Sequence, residues 1–211
     1  IAPHGARLTG DGRLIVPLYG SDGDLASLQY ISDDEKRYHP GGTTKSCSWT
    51  LGEVTSGPIF VAEGYATAAT IHEISGRPCV IAYSANNLPE IVGQLRDIHG
   101  QTREIVIVAD NDTSGVGRNK ADEASAKHGG RIVMPPVEGD ANDYHQSGGD
   151  LAGLLFPPAD DWLVPADSFS EQPDPIRWQI KRWLQSQALI MVHGPSGGGK
   201  TFMVLDMVLS V

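Results

Sequence analysis

The chain has 211 residues, 40% of them hydrophobic and 20% charged, with a formal net charge of −10. That length allows one good-sized domain plus part of another, and the acidic balance excludes nucleic-acid binding through a broad basic surface but not an enzyme whose carboxylates gather around cations. No apolar run approaches the roughly 20 residues of a membrane span, no basic-then-apolar leader opens the chain, and Cys47 and Cys79 lie outside any CxxC pair, so no zinc ribbon is encoded and a cytoplasmic protein with free thiols is expected.

Three regions follow in chain order. Residues 13–18 alternate and carry β-branched side chains, 20–24 read as a turn, 25–31 as a second strand and 36–38 as the start of a third. From 58 onward strand and helix alternate. Residues 58–62, 78–83, 104–109 and 131–134 are apolar strands. Residues 64–74 form an alanine-rich helix, Leu88, Ile91, Val92, Leu95 and Ile98 repeat at helical spacing, and 117–128 make a polar helix with alanines on it. Such alternation implies a parallel sheet covered on both faces, with ligands bound beyond the carboxyl ends of its strands. A stretch rich in proline and acidic residues runs from 157 to 175. It is followed by an amphipathic helix carrying Ile176, Ile180, Trp183 and Leu184, a strand at 189–192 and a glycine-rich loop at 194–200. The opening Ile1, in place of a methionine, leads to the expectation of a fragment.

Acidic residues follow three of the strands. Glu63 comes directly after 58–62, Asp110 and Asp112 directly after 104–109, and Asp140 and Asp143 in the segment after 131–134. All five are therefore predicted at one edge of one sheet. Carboxylates are the side chains best suited to hold Mg²⁺ (or Mn²⁺), and two such ions stabilise attacking and leaving oxygens in phosphoryl transfer. Taken singly, each acid also has an ordinary reading, since Asp-Asn-Asp after a strand caps helices and turns. It is the joint placement that points to chemistry.

Here the chain resembles a known family. VAEGYATAATI (61–71), IVIVADNDTSG (105–115) and GDANDYHQ (139–146) are similar, in order, to the motifs of Toprim domains, in particular those of phage and plasmid DNA primases. The resemblance implies that Glu63 acts as acid or base or aids metal binding, that Asp110 and Asp112 hold the metal, and that Asp140 supports it. The segment 13–42 is similar to the basic subdomain that precedes Toprim in bacterial primases, where it helps hold template and incoming nucleotide. Lys36, Arg37 and Lys45 are its candidates here. The family's glycine-arginine element is absent, because Gln29-Tyr30-Ile31 stands in its place.

Residues 194–201, Gly-Pro-Ser-Gly-Gly-Gly-Lys-Thr, fit GxxxxGK[ST] without a mismatch. Glycines let backbone N–H groups wrap phosphates at a helix N-terminus, with Gly194 and Gly199 framing the loop, Lys200 reaching the β/γ-phosphates and Thr201 the Mg²⁺. This loop resembles the phosphate loop of RecA-like helicase ATPases.

The expected fold is α/β: a Toprim, Rossmann-like parallel sheet with helices on both faces, preceded by a small β-rich subdomain and followed by the start of a P-loop NTPase. The expected divisions are 1–56, 57–147, a linker 148–175, and 176–211. The resemblance implies the catalytic core of a primase-helicase, with Mg²⁺ and ATP or NTPs as cofactors. Its partners would be single-stranded DNA template, replication proteins and a homo-hexamer formed through the motor. A Toprim nuclease, or a catalytically weak Toprim scaffold of a replicative helicase, are the alternatives.

Overall fold

The computed structural model describes residues 4–32, 34–157, 178–180, 184–185 and 193–209. They fall into two units, Ile1–Pro158 and Ala159–Val211. Among the described residues no helix is long and apolar enough to cross a membrane.

The first unit opens with an antiparallel sheet of β1 (Arg7–Leu8), β2 (Leu14–Tyr19), β3 (Leu25–Ile31) and β4 (Lys36–Tyr38), in that spatial order. Its centre is the hairpin β2–β3, in which Leu14 pairs with Ile31 and Val16 with Gln29. Gly23, at φ 84°, takes the left-handed conformation the connecting turn requires. Side chains alternate across a strand, so Val16 and Leu18 are fully buried on one face while Ile15 and Pro17 lie on the other.

The second sheet contains β5 (Trp49–Leu51), β6 (Ile59–Ala62), β7 (Cys79–Ile81), β8 (Ile105–Val108) and β9 (Arg131–Val133), ordered β5-β7-β6-β8-β9. The last four are mutually parallel and β5 runs antiparallel at the edge. Every residue of β6 and β8 is buried, because helices cover both faces. On one face Phe60, Ala62, Val106 and Val108 pack with α1 (Tyr65–Ser75) and with Val16 and Leu18 of the small sheet. On the other, Ile59, Val61, Ile105 and Ile107 pack with α2 (Leu88–His99) and with Ala121 and Ala124 of α3 (Val116–His128). Each fully buried aliphatic side chain contributes roughly 1.5–3 kcal/mol, so this double layer dominates the stability of the unit.

The structure departs from the sequence expectation in several places. β5 lies within the stretch read as the β-rich subdomain, yet it is an edge strand of the main sheet. The segment after β9 is not a plain loop: Asp140 caps α4 (Ala141–Gln146). The stretch expected to begin a linker at 148 instead forms α5 (Leu151–Leu155), whose Leu151 and Leu155 are buried in the core. Ile98 completes the helical repeat of α2 but is 72% exposed, since the helix ends one residue later at His99. In the second unit, β10 (Trp178–Ile180) and β11 (Leu184–Gln185) form an antiparallel pair where an amphipathic helix was expected. Aromatic and β-branched residues favour that extended form. The strand expected at 189–192 lies outside the described residues. α6 (Lys200–Leu209) follows the glycine-rich loop.

Candidate active site

The site begins with strand register. Ala62 pairs with Val108 across β6 and β8, so Glu63 and Asp110 emerge from neighbouring strands at one rim. The helices that follow leave in opposite directions, α1 to one face and α3 to the other. Chain divergence of this kind opens a crevice at the carboxyl edge of a parallel sheet.

Asp140 reaches the same rim through a clip. Asn111 exchanges backbone hydrogen bonds with Gly139, at 3.0 and 2.9 Å. Its side-chain Nδ2 donates to the carbonyls of Pro135 and Val137, at 3.0 and 3.1 Å. These bonds fold the segment after β9 back toward Asp110. Asp140 then accepts from the Asp143 N–H at 2.8 Å and from Thr67 Oγ1 at 3.0 Å. One turn along α1, Thr70 donates to Asn142 at 2.8 Å.

A cavity of about 540 Å³ opens at this rim, between it and the small sheet. Glu63, Asp110 and Asp140 line it together with Lys36 and Gln29. Glu63 Oε1 and Asp110 Oδ1 are buried with no hydrogen-bond partner. Burial, followed by the charges of Asp110 and Asp112, pushes the Glu63 carboxyl up to about 7, against an opposing hydrogen bond from the Ala85 backbone. Burial, then Asp140 and Asp112, raises Asp110 to about 6, and Lys36 works against that rise. Gly117 explains how Glu63 fits: a Cβ at this position of α3 would stand 2.8 Å from Glu63 Oε1 and 3.2 Å from the Asp110 carbonyl.

The other expected residues divide. Asp112 is exposed and does not line the cavity. Its Oδ1 accepts from Ser114 Oγ at 2.6 Å and from the Gly115 N–H at 2.9 Å, which together hold its pKa below the usual carboxylate range. Asp143 is exposed on α4, and its charge still adds to the rise at Asp110. Alternation along β4 turns Lys36 into the cavity and Arg37 away from it, where Arg37 is exposed and ion-paired with Glu35. Lys45 is exposed and stands apart from the cavity wall. His145 is exposed on α4.

Sequence reading missed Asn111, Thr67, Gly117, Gln29 and Tyr83. Tyr83 is an uncommon non-glycine residue at φ 63°. It joins the sheets twice: its hydroxyl donates to the Pro17 carbonyl, and its own carbonyl accepts from Tyr38 Oη at 2.9 Å. Only the position of Asn111, between two acids, carried a local signal.

Among the described residues, no three His, Cys, Asp or Glu side chains already converge as a metal cage. A divalent cation fits the rim on other grounds. Two buried carboxylate oxygens lacking any partner, with raised pKa values, are the hard and electron-rich donors such an ion takes.

In the second unit, Gly197 and Gly199 adopt φ of 79° and 74° as the loop turns into α6. Lys200 Nζ donates to the carbonyls of Gly194 and Pro195, at 2.8 and 2.6 Å, and Thr201 is exposed. Backbone N–H groups at such a helix start form an anion site.

Comparison with known proteins agrees with this layout. Residues 58–150 match the Toprim domain family, and residues 156–211 match an AAA domain family. Two DNA primases TraC of Escherichia coli are 33% and 28% identical over 141 residues, which is 61% of this chain. The chain spans only 13% and 10% of their lengths. The primase fragment of the bacteriophage T7 primase-helicase superposes with a TM-score of 0.57 at 18% identity, over 73% of this chain and 68% of that one. Residues 58–150 are thus a Toprim domain, followed by a segment of AAA type, in a chain homologous to DNA primase TraC.

Proposed function

We propose that this chain carries the catalytic core of a DNA primase, which joins ribonucleotides on a single-stranded DNA template ahead of a helicase-type ATPase. The observation that carries this reading is the pair of buried carboxylate oxygens on Glu63 and Asp110, unpartnered on the wall of a cavity that also holds Lys36.

Asp110, Asp140 and Glu63 would hold Mg²⁺ or Mn²⁺, with Asp112 joining them by giving up its turn contacts. The bound ion supplies charge neutralisation and orientation of the nucleotide phosphates. Glu63, with a pKa near neutrality, is matched to proton transfer at the attacking 3′-hydroxyl. Lys36 offsets phosphate charge in the same cavity. Lys200 and Thr201, with the loop from Gly194 to Gly199, would bind ATP separately. Single-stranded template, NTPs, replication proteins and a hexameric motor are the partners this reading implies.

The test supplies single-stranded template, NTPs and Mg²⁺. Labelled oligonucleotides that form with the unaltered chain and vanish with Asp110→Ala support the primase reading. Template degradation points instead to a nuclease, and neither product to a scaffold.

A further inference from the structure

We propose that Gln29 selects the nucleoside: its carboxamide hydrogen-bonds the sugar or base edge of a nucleotide whose phosphates meet the acidic rim. This rests on reading the cavity as a nucleotidyl-transfer site.

Gln29 is only 6% exposed and lines the cavity. Its carboxamide can donate twice and accept twice, yet its side chain makes no hydrogen bond among the described residues. Unlike Glu63 Oε1 and Asp110 Oδ1, its amide is not sealed off from the open space of the cavity, so it is available to hydrogen-bond what enters there. Its cross-strand neighbours do not supply a partner. Val16, opposite on β2, is apolar, and Tyr38, opposite on β4, uses its hydroxyl on the Tyr83 carbonyl.

The surroundings say what would pair with it. Two residues along β3, Ile31 stands opposite Lys36, and Leu8, Leu14 and Ile31 give the wall an apolar character. Charged groups suited to phosphate and metal therefore share one cavity with apolar side chains and a single neutral amide. Apolar walls around one well-placed hydrogen-bonding group are how proteins hold a flat heterocycle or a sugar. The volume of about 540 Å³ lies in the range of small-molecule sites, roughly 300–1,000 Å³. A lone anion would need no such wall.

The test measures binding of ATP with magnesium to the chain carrying Lys200→Ala, which disables the phosphate loop. Gln29→Leu is added to this background, and Gln29→Met serves if the leucine variant fails to fold. We expect either to weaken ATP binding about tenfold, the loss typical of one hydrogen bond to a buried amide, while inorganic tripolyphosphate binds within about twofold of the parent. A penalty that disappears with dATP assigns the contact to the 2′-hydroxyl; one that persists with dATP and differs between ATP and CTP assigns it to the base. Unchanged ATP affinity, equal weakening of tripolyphosphate, or no ATP binding by the Lys200→Ala parent would overturn the inference. Primer synthesis by the unaltered chain reports separately. Primers formed while the Gln29 variants bind ATP normally sink this inference alone; no primers and no ATP binding sink the reading beneath it as well.

Discussion

The two ends of the main sheet are built on opposite principles. At the amino end, Arg96 is 7% exposed, and its guanidinium donates to four backbone carbonyls. Nε donates to His128 at 2.7 Å, and Nη1 to Gly100, Gln101 and Arg103. A planar fork fixed this way ties the C-terminal ends of α2 and α3 to the start of β8. At the carboxyl end, Glu63 and Asp110 are half-buried, and each has one buried oxygen that nothing satisfies. The first arrangement stabilises the fold. The second opposes folding and gains from a ligand, as functional sites commonly do.

Substitutions at the two ends should therefore separate activity from stability. The largest effect is expected at Asp110→Ala: primer synthesis falls at least about 100-fold, while the thermal midpoint holds or rises because an unsatisfied carboxylate is gone. A drop in midpoint without loss of synthesis would reverse the assignment of the two ends. Next comes Arg96→Leu, which leaves several carbonyls unpaired. A loss of about 2–4 kcal/mol in denaturant unfolding is expected, with turnover per folded molecule unchanged.

The pH dependence has a definite sign. The folded-state pKa of Glu63 is raised from 4.5 to about 7 and that of Asp110 from 3.8 to about 6. The unfolded chain holds its protons less tightly than the folded one, so this contribution is complete below about pH 4 and is lost as pH climbs through 6 to 7. After solvent screening the loss is on the order of 1–2 kcal/mol. Thermal midpoints at pH 5 and pH 8 should differ less in Glu63→Gln than in the parent. Added Mg²⁺ should recover stability in the parent at pH 8.

Gly117→Ala tests the packing behind the acids. An exposed helical glycine gains about 0.5–1 kcal/mol on replacement by alanine. Here the new methyl group meets Glu63 Oε1, so synthesis should fall several-fold with stability changed by no more than about 1 kcal/mol. The smallest effect is the contrast within β4. Lys36→Ala should raise the KM for NTP several-fold, and Arg37→Ala should change it less than about twofold, as expected of an exposed pair. Equal effects would show that strand alternation does not govern access to the cavity.

What the sequence revealed follows from the range of each signal. Buried parallel strands are apolar throughout, so β6 and β8 stood out, and their ends located Glu63 and Asp110. β5 did not, because Trp49–Leu51 is a three-residue strand whose ladder partner is distant β7. Asp112 is expected as a ligand from its place in the motif, and in the structure its carboxylate is engaged by the local turn. That outcome depends on Ser114 and on the Gly115 N–H, a competition the motif does not encode. α5 was hidden by its short length and the proline-rich stretch beyond it. Gln29 stood out only as part of the segment that replaces the resembled family's glycine-arginine element, and its burial comes from packing that the sequence does not show.

Tyr83 gives the cavity a further property. Its hydroxyl grips the backbone of β2, and its carbonyl is gripped by the ring hydroxyl at the end of β4. One side chain thus acts as a spacer that gauges the slot between roof and floor. Tyr83→Phe would release the roof along β2 alone, leaving the acids untouched, so slot width and substrate size could be tuned independently of the chemistry below.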